Sequence, residues 1–312
     1  MDNQTIIEGF KMFAFSNNTE RKPLLFILFF FLYIPGIIGN VVIIIVVIVD
    51  AHLHTPMYFF LCNLSTIDIF YTTVIFPKLM GILLTGNNLI PYMQCIAQMY
   101  FFVFTAGTEV TLLSCMAYDR YIAICNPLHY HFIMNNKHVL LLMFIIWTIG
   151  LGNASIFTGF VSKLSFCRSN SIQHFYCDTK ALAKICPEIT FHIIIYVDCM
   201  VFGLCTFLLS LTSYIKIINN ILHIKSKASR RKVFSTCTSH LIVLLLFYVT
   251  SICTYMMPTS GKSDKLDQVF SAMYTAVTPM LNPLIYSLRN KDVKCALRRI
   301  VMRMNSRHVS QR

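Results

Sequence analysis

The sequence predicts an all-α membrane protein, a seven-transmembrane helix bundle followed by a short amphipathic C-terminal helix. Three observations predict it. Of 312 residues, 56% are hydrophobic and 12% charged, which leaves too little polar surface to coat a water-soluble globule of this size. Apolar runs recur seven times at lengths that match a bilayer. The cations gather on alternate connections between those runs, as in chains that cross a membrane repeatedly.

The 26 residues Leu24–Val49 carry no charge, and at about 1.5 Å per residue they exceed a hydrocarbon core of about 30 Å. The first 23 residues are polar with mixed charge, and this run is far longer than a signal-peptide core of about 7 to 15 residues, so it should act as an uncleaved insertion signal. Six further spans are expected at Met57–Leu84, Cys95–Tyr121, Val139–Val161, Phe191–Tyr214, Val233–Met257 and Val269–Leu288. The first, fourth and seventh hold no acidic or basic residue; Asp68, Lys78, Glu109 and Asp198 interrupt others. The longest connection, Ser162–Thr190, reads as a loop. The whole chain, 1–312, is then one domain: a tail at 1–23, the bundle at 24–288, and a C-terminal amphipathic helix and tail at 289–312.

Orientation follows from counting Lys and Arg on the two sides. Arg120, Lys137, six cations between Lys216 and Lys232 and eight from Arg289 onward make 16, against 9 on the opposite side. The basic side is expected to be cytoplasmic, with the N-terminus outside. Arg21 and Lys22 before the first span and Asp50 after it argue locally the other way, but the stretch HIKSKASRRK and the C-terminal tail dominate the total. The sequons at Asn3 and Asn17 then face the side where glycosylation occurs, whereas the matches at Asn63 and Asn153 fall within spans and are discounted. Four of the twelve cysteines, Cys95, Cys167, Cys177 and Cys186, fall on the outer side, where disulfides form, and four thiols allow three pairings. The other eight read as small buried hydrophobes.

Two intramembrane acids demand a reason. Asp68 lies 12 residues past Pro56 and Glu109 lies 11 before Arg120 on an antiparallel helix, so both should sit at one depth. An ionised carboxylate there costs about 2.5–3.5 kcal/mol. With no cation near that depth, either one carboxyl holds a proton, or a cation such as sodium sits between them, or each is separately hydrogen-bonded. In the last span, PMLNPLIYSLRN, Pro283 removes a backbone donor. Asn282 is expected to pair with the freed backbone groups, with Tyr286 one turn on along the same face. Beyond it, Val293, Ala296, Leu297, Ile300, Val301 and Met304 recur at helical spacing opposite Arg298, Arg299 and Arg303, the pattern of an interfacial helix. Cys295 there is either a palmitoylation site or a buried thiol.

Six stretches now stand in order on seven spans: Gly39-Asn40, LHTPMYFFLCNLSTID from Leu53, MAYDRYIAICNPLHY from Met116, Ser213-Tyr214, KVFSTCTSHL from Lys232, and PMLNPLIYSLRN. Together they resemble the odorant receptors, a branch of the rhodopsin-like G-protein-coupled receptors, over nearly the whole chain. The resemblance implies bridges Cys95–Cys177 and Cys167–Cys186, and it supports Asp68 with Glu109 as a sodium or proton site. It implies that Asp119 holds Arg120 at rest, and that Arg120 with Tyr121, Tyr214, Asn282, Pro283 and Tyr286 rearranges on activation. The partner opening that end would be a heterotrimeric G protein of the stimulatory or olfactory type, raising cAMP. A small, largely apolar odorant would bind among Phe102, Val103, Ala106, Asp198, Phe202, Ser251, Ile252 and Tyr255. Asp198 would either meet a basic or hydroxylated ligand or bond to nearby backbone.

Three positions depart from the family pattern. Cys177 and Cys186 stand one residue closer than usual; Val249 replaces a usual Gly, which should stiffen packing of the sixth span; Val233 replaces a usual Ala. Rival classes have weaker support. A channel or transporter would show inverted repeats, and no self-similarity between halves is evident. An enzyme would show a catalytic motif, and the sequence holds no His-Glu-x-x-His, Gly-x-Ser-x-Gly or phosphate loop. A receptor for a non-odorant small molecule remains the nearest alternative. The lipid bilayer is the expected medium, no nucleic-acid partner is expected, and no cofactor is expected beyond the sodium ion.

Overall fold

A computed structural model describes residues 9–15, 21–163, 170–186, 188–223, 226–256 and 264–310. Among these, six helices are long and apolar enough to cross a membrane: Lys22–Val49, Pro56–Thr85, Tyr92–Cys125, Asn136–Val161, Ile189–His223, which includes a π-helical turn at Cys199–Cys205, and Cys237–Tyr255, which lies within the helix Lys227–Met256. The seventh crossing, 264–289, is helical throughout but not uniformly α: a π-helical turn, Met273–Val277, joins Asp264–Ala272 to Thr278–Arg289. The chain is a multi-pass membrane protein. All seven spans lie where hydropathy places them, and most overrun the apolar stretch by a few residues, because a helix keeps its backbone bonds after it leaves hydrocarbon.

Local chemistry sets several ends. Pro56 opens the second span, where its missing N–H costs nothing, and Gly86 closes it in the left-handed region at φ 73° with its N–H on the Ile82 carbonyl. Asn135 caps the fourth by accepting from the His138 N–H. Lys78 reaches up to the Leu89 carbonyl at 2.7 Å, so its charge leaves the apolar layer.

The third span runs through the centre of the bundle and is the most enclosed, packed on the second, fourth and fifth. Gly150 permits the close approach of the fourth: a β-carbon there would collide with Thr108 Oγ1, which the Phe104 carbonyl already holds. The fifth presents most of its face outward, towards lipid. Val249 is more than half exposed on the sixth span. It faces outward instead of into a neighbour, so it does not stiffen the packing there.

The two ends differ. At the end carrying Cys95, a three-stranded sheet of order β2-β1-β3 closes the bundle, a feature outside the helix-only expectation. Strand β1 (Gly9–Met12) is its middle, antiparallel to β2 (Leu89–Pro91) and parallel to β3 (Ser171–Ile172). Gly9 is required there, since any side chain would strike the Ile90 carbonyl oxygen. The long connection expected as loop also holds a helix, Thr179–Ile185. At the opposite, basic end the C-terminal helix Lys291–Ser310 buries Val293 and Ala296. Arg299 grips Asp50 at 2.7–2.8 Å, and Tyr58 donates to Asp292 at 3.0 Å. Burial works against the Asp50 charge, but hydrogen bonds from His52 and Arg299 hold its carboxyl down at about 2. Cys295 is exposed, which removes the buried-thiol reading.

Candidate functional site

Three connected regions of the bundle carry the chemistry. The first is a cavity of about 430 Å³ below the sheet. All eight residues expected to bind ligand, Phe102, Val103, Ala106, Asp198, Phe202, Ser251, Ile252 and Tyr255, line it. Phe157, Phe207, Phe247, Tyr248 and Tyr274 add aromatic wall. Two π-helical turns, Cys199–Cys205 and Met273–Val277, border the cavity with Phe202 and Tyr274. Such turns insert a residue and re-aim side chains, and no sequence signal announces them. The sequence reasoning also missed Asn153, whose Nδ2 donates to Asp198 Oδ1 at 2.8 Å. Asp198 thus bonds a side chain of the fourth span, not backbone.

Above the cavity, Cys177 is bridged to Cys95 with α-carbons 5.4 Å apart. The Cys177 N–H also donates to Gln98 Oε1 at 2.9 Å. Cys186 is buried at the end of the short loop helix; Cys167 and the sequons Asn3 and Asn17 fall outside the described residues. A buried polar cluster ties this loop to the last two spans. Lys180 and Lys184 both meet Asp267, at 2.7 and 3.2 Å, and Tyr255 donates to Asp178 at 3.2 Å. His174 lies 3.1 Å from Ser271 Oγ with its other ring nitrogen unpartnered.

Burial pushes His174 down to about 3 and Asp178 up to about 6. The signs oppose. The folded His174 takes up fewer protons than the unfolded one below its ordinary 6.5, so stability falls as pH drops through that value. Asp178 returns part of this only once pH falls below about 6. Acidifying the solubilised protein from pH 7 to 5.5 should therefore cost a net of about 0.5 kcal/mol, read as a slightly lower melting temperature. His174→Gln leaves only the opposing Asp178 effect, so that variant should become slightly more stable over the same interval, and an unchanged slope would remove His174 as the source.

The second region is the polar middle. Asn282 donates to Asp68 Oδ2 at 3.0 Å, which leaves Pro283's freed carbonyl to another residue. Pro283 takes the usual donor away from the Pro279 carbonyl four residues earlier, and Asn40 Nδ2 of the first span supplies one at 3.2 Å. An asparagine does meet the freed backbone carbonyl, but it is Asn40 and not the expected Asn282, which bonds a side chain instead. Asp68 and Glu109 lie near enough for their charges to interact. Asp68 Oδ1, Glu109 Oε1 and Asn282 Oδ1 are buried without hydrogen-bond partners. Among the described residues no three His, Cys, Asp or Glu gather to hold a metal ion. Two carboxylates and an amide oxygen do suit a hard monovalent cation, or a single shared proton.

The third region is the basic end. Asp119 is buried, with Arg120 Nη2 at 2.5 Å and Nε at 3.0 Å from one oxygen and the Tyr130 hydroxyl donating to the other at 2.9 Å. Burial and the Asp119 charge hold the Tyr130 phenol well above its ordinary value, so it stays a donor. Tyr214 pairs with His240 Nδ1 at 2.8 Å, and Tyr286 is buried with its hydroxyl unpartnered. Tyr130 and His240 lay inside the quoted motifs, but spacing could not reveal their partners. Tyr121 is overlaid by the Lys216 ammonium, 5.1 Å from the ring centre.

Comparison with known proteins agrees with this arrangement. The olfactory receptor family model matches residues 29–304. The chain is 43% identical to mouse olfactory receptor 1E16 over 300 residues, 96% of each chain. It is 44% identical to human olfactory receptor 8H1 over 305 residues, 96% of this chain and 97% of the relative. Dog olfactory receptor-like protein OLF4 is 44% identical over 299 residues, 95% and 97%. Those are receptors and not enzymes. With the bundle, the disulfide and the Asp119–Arg120 clasp in place, the chain belongs to the olfactory receptor family, a branch of the rhodopsin-like G-protein-coupled receptors.

Proposed function

We propose that this receptor binds a small, largely apolar odorant in the cavity lined by Phe102, Val103, Ala106, Asp198, Phe202, Ser251, Ile252 and Tyr255, and signals through a stimulatory or olfactory G-protein alpha subunit to raise cAMP. The observation that carries it is the cavity itself: about 430 Å³, walled by rings and aliphatic groups with few polar atoms, in a chain of this family. The basic end faces the cytoplasm, by the 16-to-9 excess of cations. The sheet and the sequons Asn3 and Asn17 then face outward, and Cys167 pairs with Cys186. Ligand favours a state in which Asp119 releases Arg120, and the sixth span moves to admit the alpha subunit among Arg120, Tyr121, Tyr214 and Tyr286. Asn282 and Pro283 form the hinge in the seventh.

Asp68 and Glu109 hold a sodium ion or a shared proton that favours the resting state. Binding to one conformation alone shifts the equilibrium toward it. The reading is supported by their unpartnered buried oxygens. A cell-based cAMP screen against a broad odorant panel, with the olfactory alpha subunit present or omitted, tests the whole proposal. Responses that need both ligand and alpha subunit are expected; silence throughout at verified surface expression overturns it. In the same assay Asp68→Asn and Glu109→Gln should each shift potency, and the double variant should depart from the sum by about 0.5–3 kcal/mol. Strict additivity with no dependence on sodium or pH would leave two separate buried acids.

A further inference from the structure

The cavity's wall is chemically one-sided. Among the described residues that line it, Asp198 alone is charged, with no Lys, Arg or His. One carboxylate oxygen accepts from Asn153 at 2.8 Å, and among the described residues no cation pairs with the group. The charged groups of the outer polar cluster are already matched: Lys180 and Lys184 with Asp267, and Asp178 with the Tyr255 hydroxyl. A single amide donor offsets only part of the cost of holding a carboxylate in an apolar chamber. The remaining wall is rich in rings, among them Phe102, Phe202, Tyr248 and Tyr255. Aromatic faces attract cations as well as apolar groups.

We propose that the preferred ligand class of this cavity is a small apolar primary amine, whose ammonium group pairs with Asp198 while its hydrocarbon body fills the aromatic wall. The proposal rests on the reading of the cavity as the odorant site. Asn153 acts as a positioning residue: its amide holds one carboxylate oxygen and leaves the other for the ligand. An aliphatic acid is excluded by like charge, and an alcohol or aldehyde of the same shape meets the carboxylate with a weaker bond or none.

The test uses the intact receptor in cells, with octylamine, octan-1-ol, octanal and octanoic acid, and a matching cyclohexylmethyl set, as probes. The amine of each set should activate at concentrations roughly 10- to 100-fold below its isosteric alcohol and aldehyde. Asp198→Asn, compared at matched surface density, should erase that preference, and Asp198→Glu should restore part of it. Asn153→Ala keeps the carboxylate, so it should retain the order of preference with weaker potency. Should Asp198→Asn fail to reach the surface, the Glu and Asn153→Ala variants still decide the point. Amines silent or equal to their isosteres while alcohols or aldehydes activate would overturn the amine proposal and leave the odorant reading intact. Silence to all four head groups across both sets, and to the wider panel, would overturn both.

Discussion

Arg120→Ala should abolish ligand-dependent cAMP at matched surface density. The guanidinium meets Asp119 through two nitrogens in a site where Asp119 is 1% exposed, a charge-assisted pair shielded from water. Removing Arg120 takes away the group that the alpha subunit is proposed to engage and leaves the Asp119 carboxylate with Tyr130 alone. The switch then loses its two-state character, since coupling between distant sites is usually about 1–3 kcal/mol, or 5- to 150-fold in response. Arg120→Lys keeps charge but not the planar fork, so it should fall between the two. Asp119→Asn frees Arg120 and should raise signalling without ligand. Retained ligand response in Arg120→Ala at equal surface levels would exclude the role.

Cys95→Ser or Cys177→Ser should nearly empty the cell surface of receptor. The bridge joins residues 82 apart, and closing a loop of that length is worth about 4–5 kcal/mol in the chain-entropy account. Folded domains are stable by only about 5–15 kcal/mol in all. The bridge also anchors the loop that bears His174, Asp178 and Lys180, so the whole outer polar cluster depends on it. Gln98→Ala, which removes only the hydrogen bond to the Cys177 N–H, should cost about 1 kcal/mol and spare most surface expression. Peptide mapping without reduction should recover Cys95 joined to Cys177; finding Cys95 free or joined to Cys167 in signalling-competent protein would contradict the pairing.

What could be read from the sequence divides along physical lines. Hydrocarbon imposes a length and a composition on every crossing, so seven spans were legible to within a few residues at most ends. Intramembrane acids were legible as a problem because charge there is costly, and their partners Asn282 and Asn153 were not, since partnership depends on how helices rotate against one another. Asn153 drew notice only as a sequon match discounted for lying within a span. The strands of two to four residues were invisible: Gly9–Met12 carries no alternation long enough to register, and its partners lie far along the chain. The π-helical turns at Cys199 and Met273 have no compositional mark at all. The cavity residues were legible only through family resemblance, which supplied the positions that spacing alone does not rank.

The small sheet has a consequence for the order of assembly. Its middle strand is the first made, yet Gly9 must wait for Pro91, and Met12 for Ile172, before either edge can pair. At synthesis rates of about 5–20 residues per second, roughly 10–30 s separate emergence of the strand from that of its last partner. Through that interval four spans enter the membrane while the N-terminal strand has at most one of its two neighbours. All three strands and Cys177 are nevertheless made before the fifth, sixth and seventh spans, so the seal can form ahead of most of the chamber wall once the Cys95–Cys177 bridge holds its loop in place. A nascent receptor stalled before the fifth span can therefore carry a roof with no chamber beneath it, since Asp198, Phe202, Ser251, Ile252 and Tyr255 have yet to be made, which gives quality-control machinery a visible difference between unfinished and finished chains.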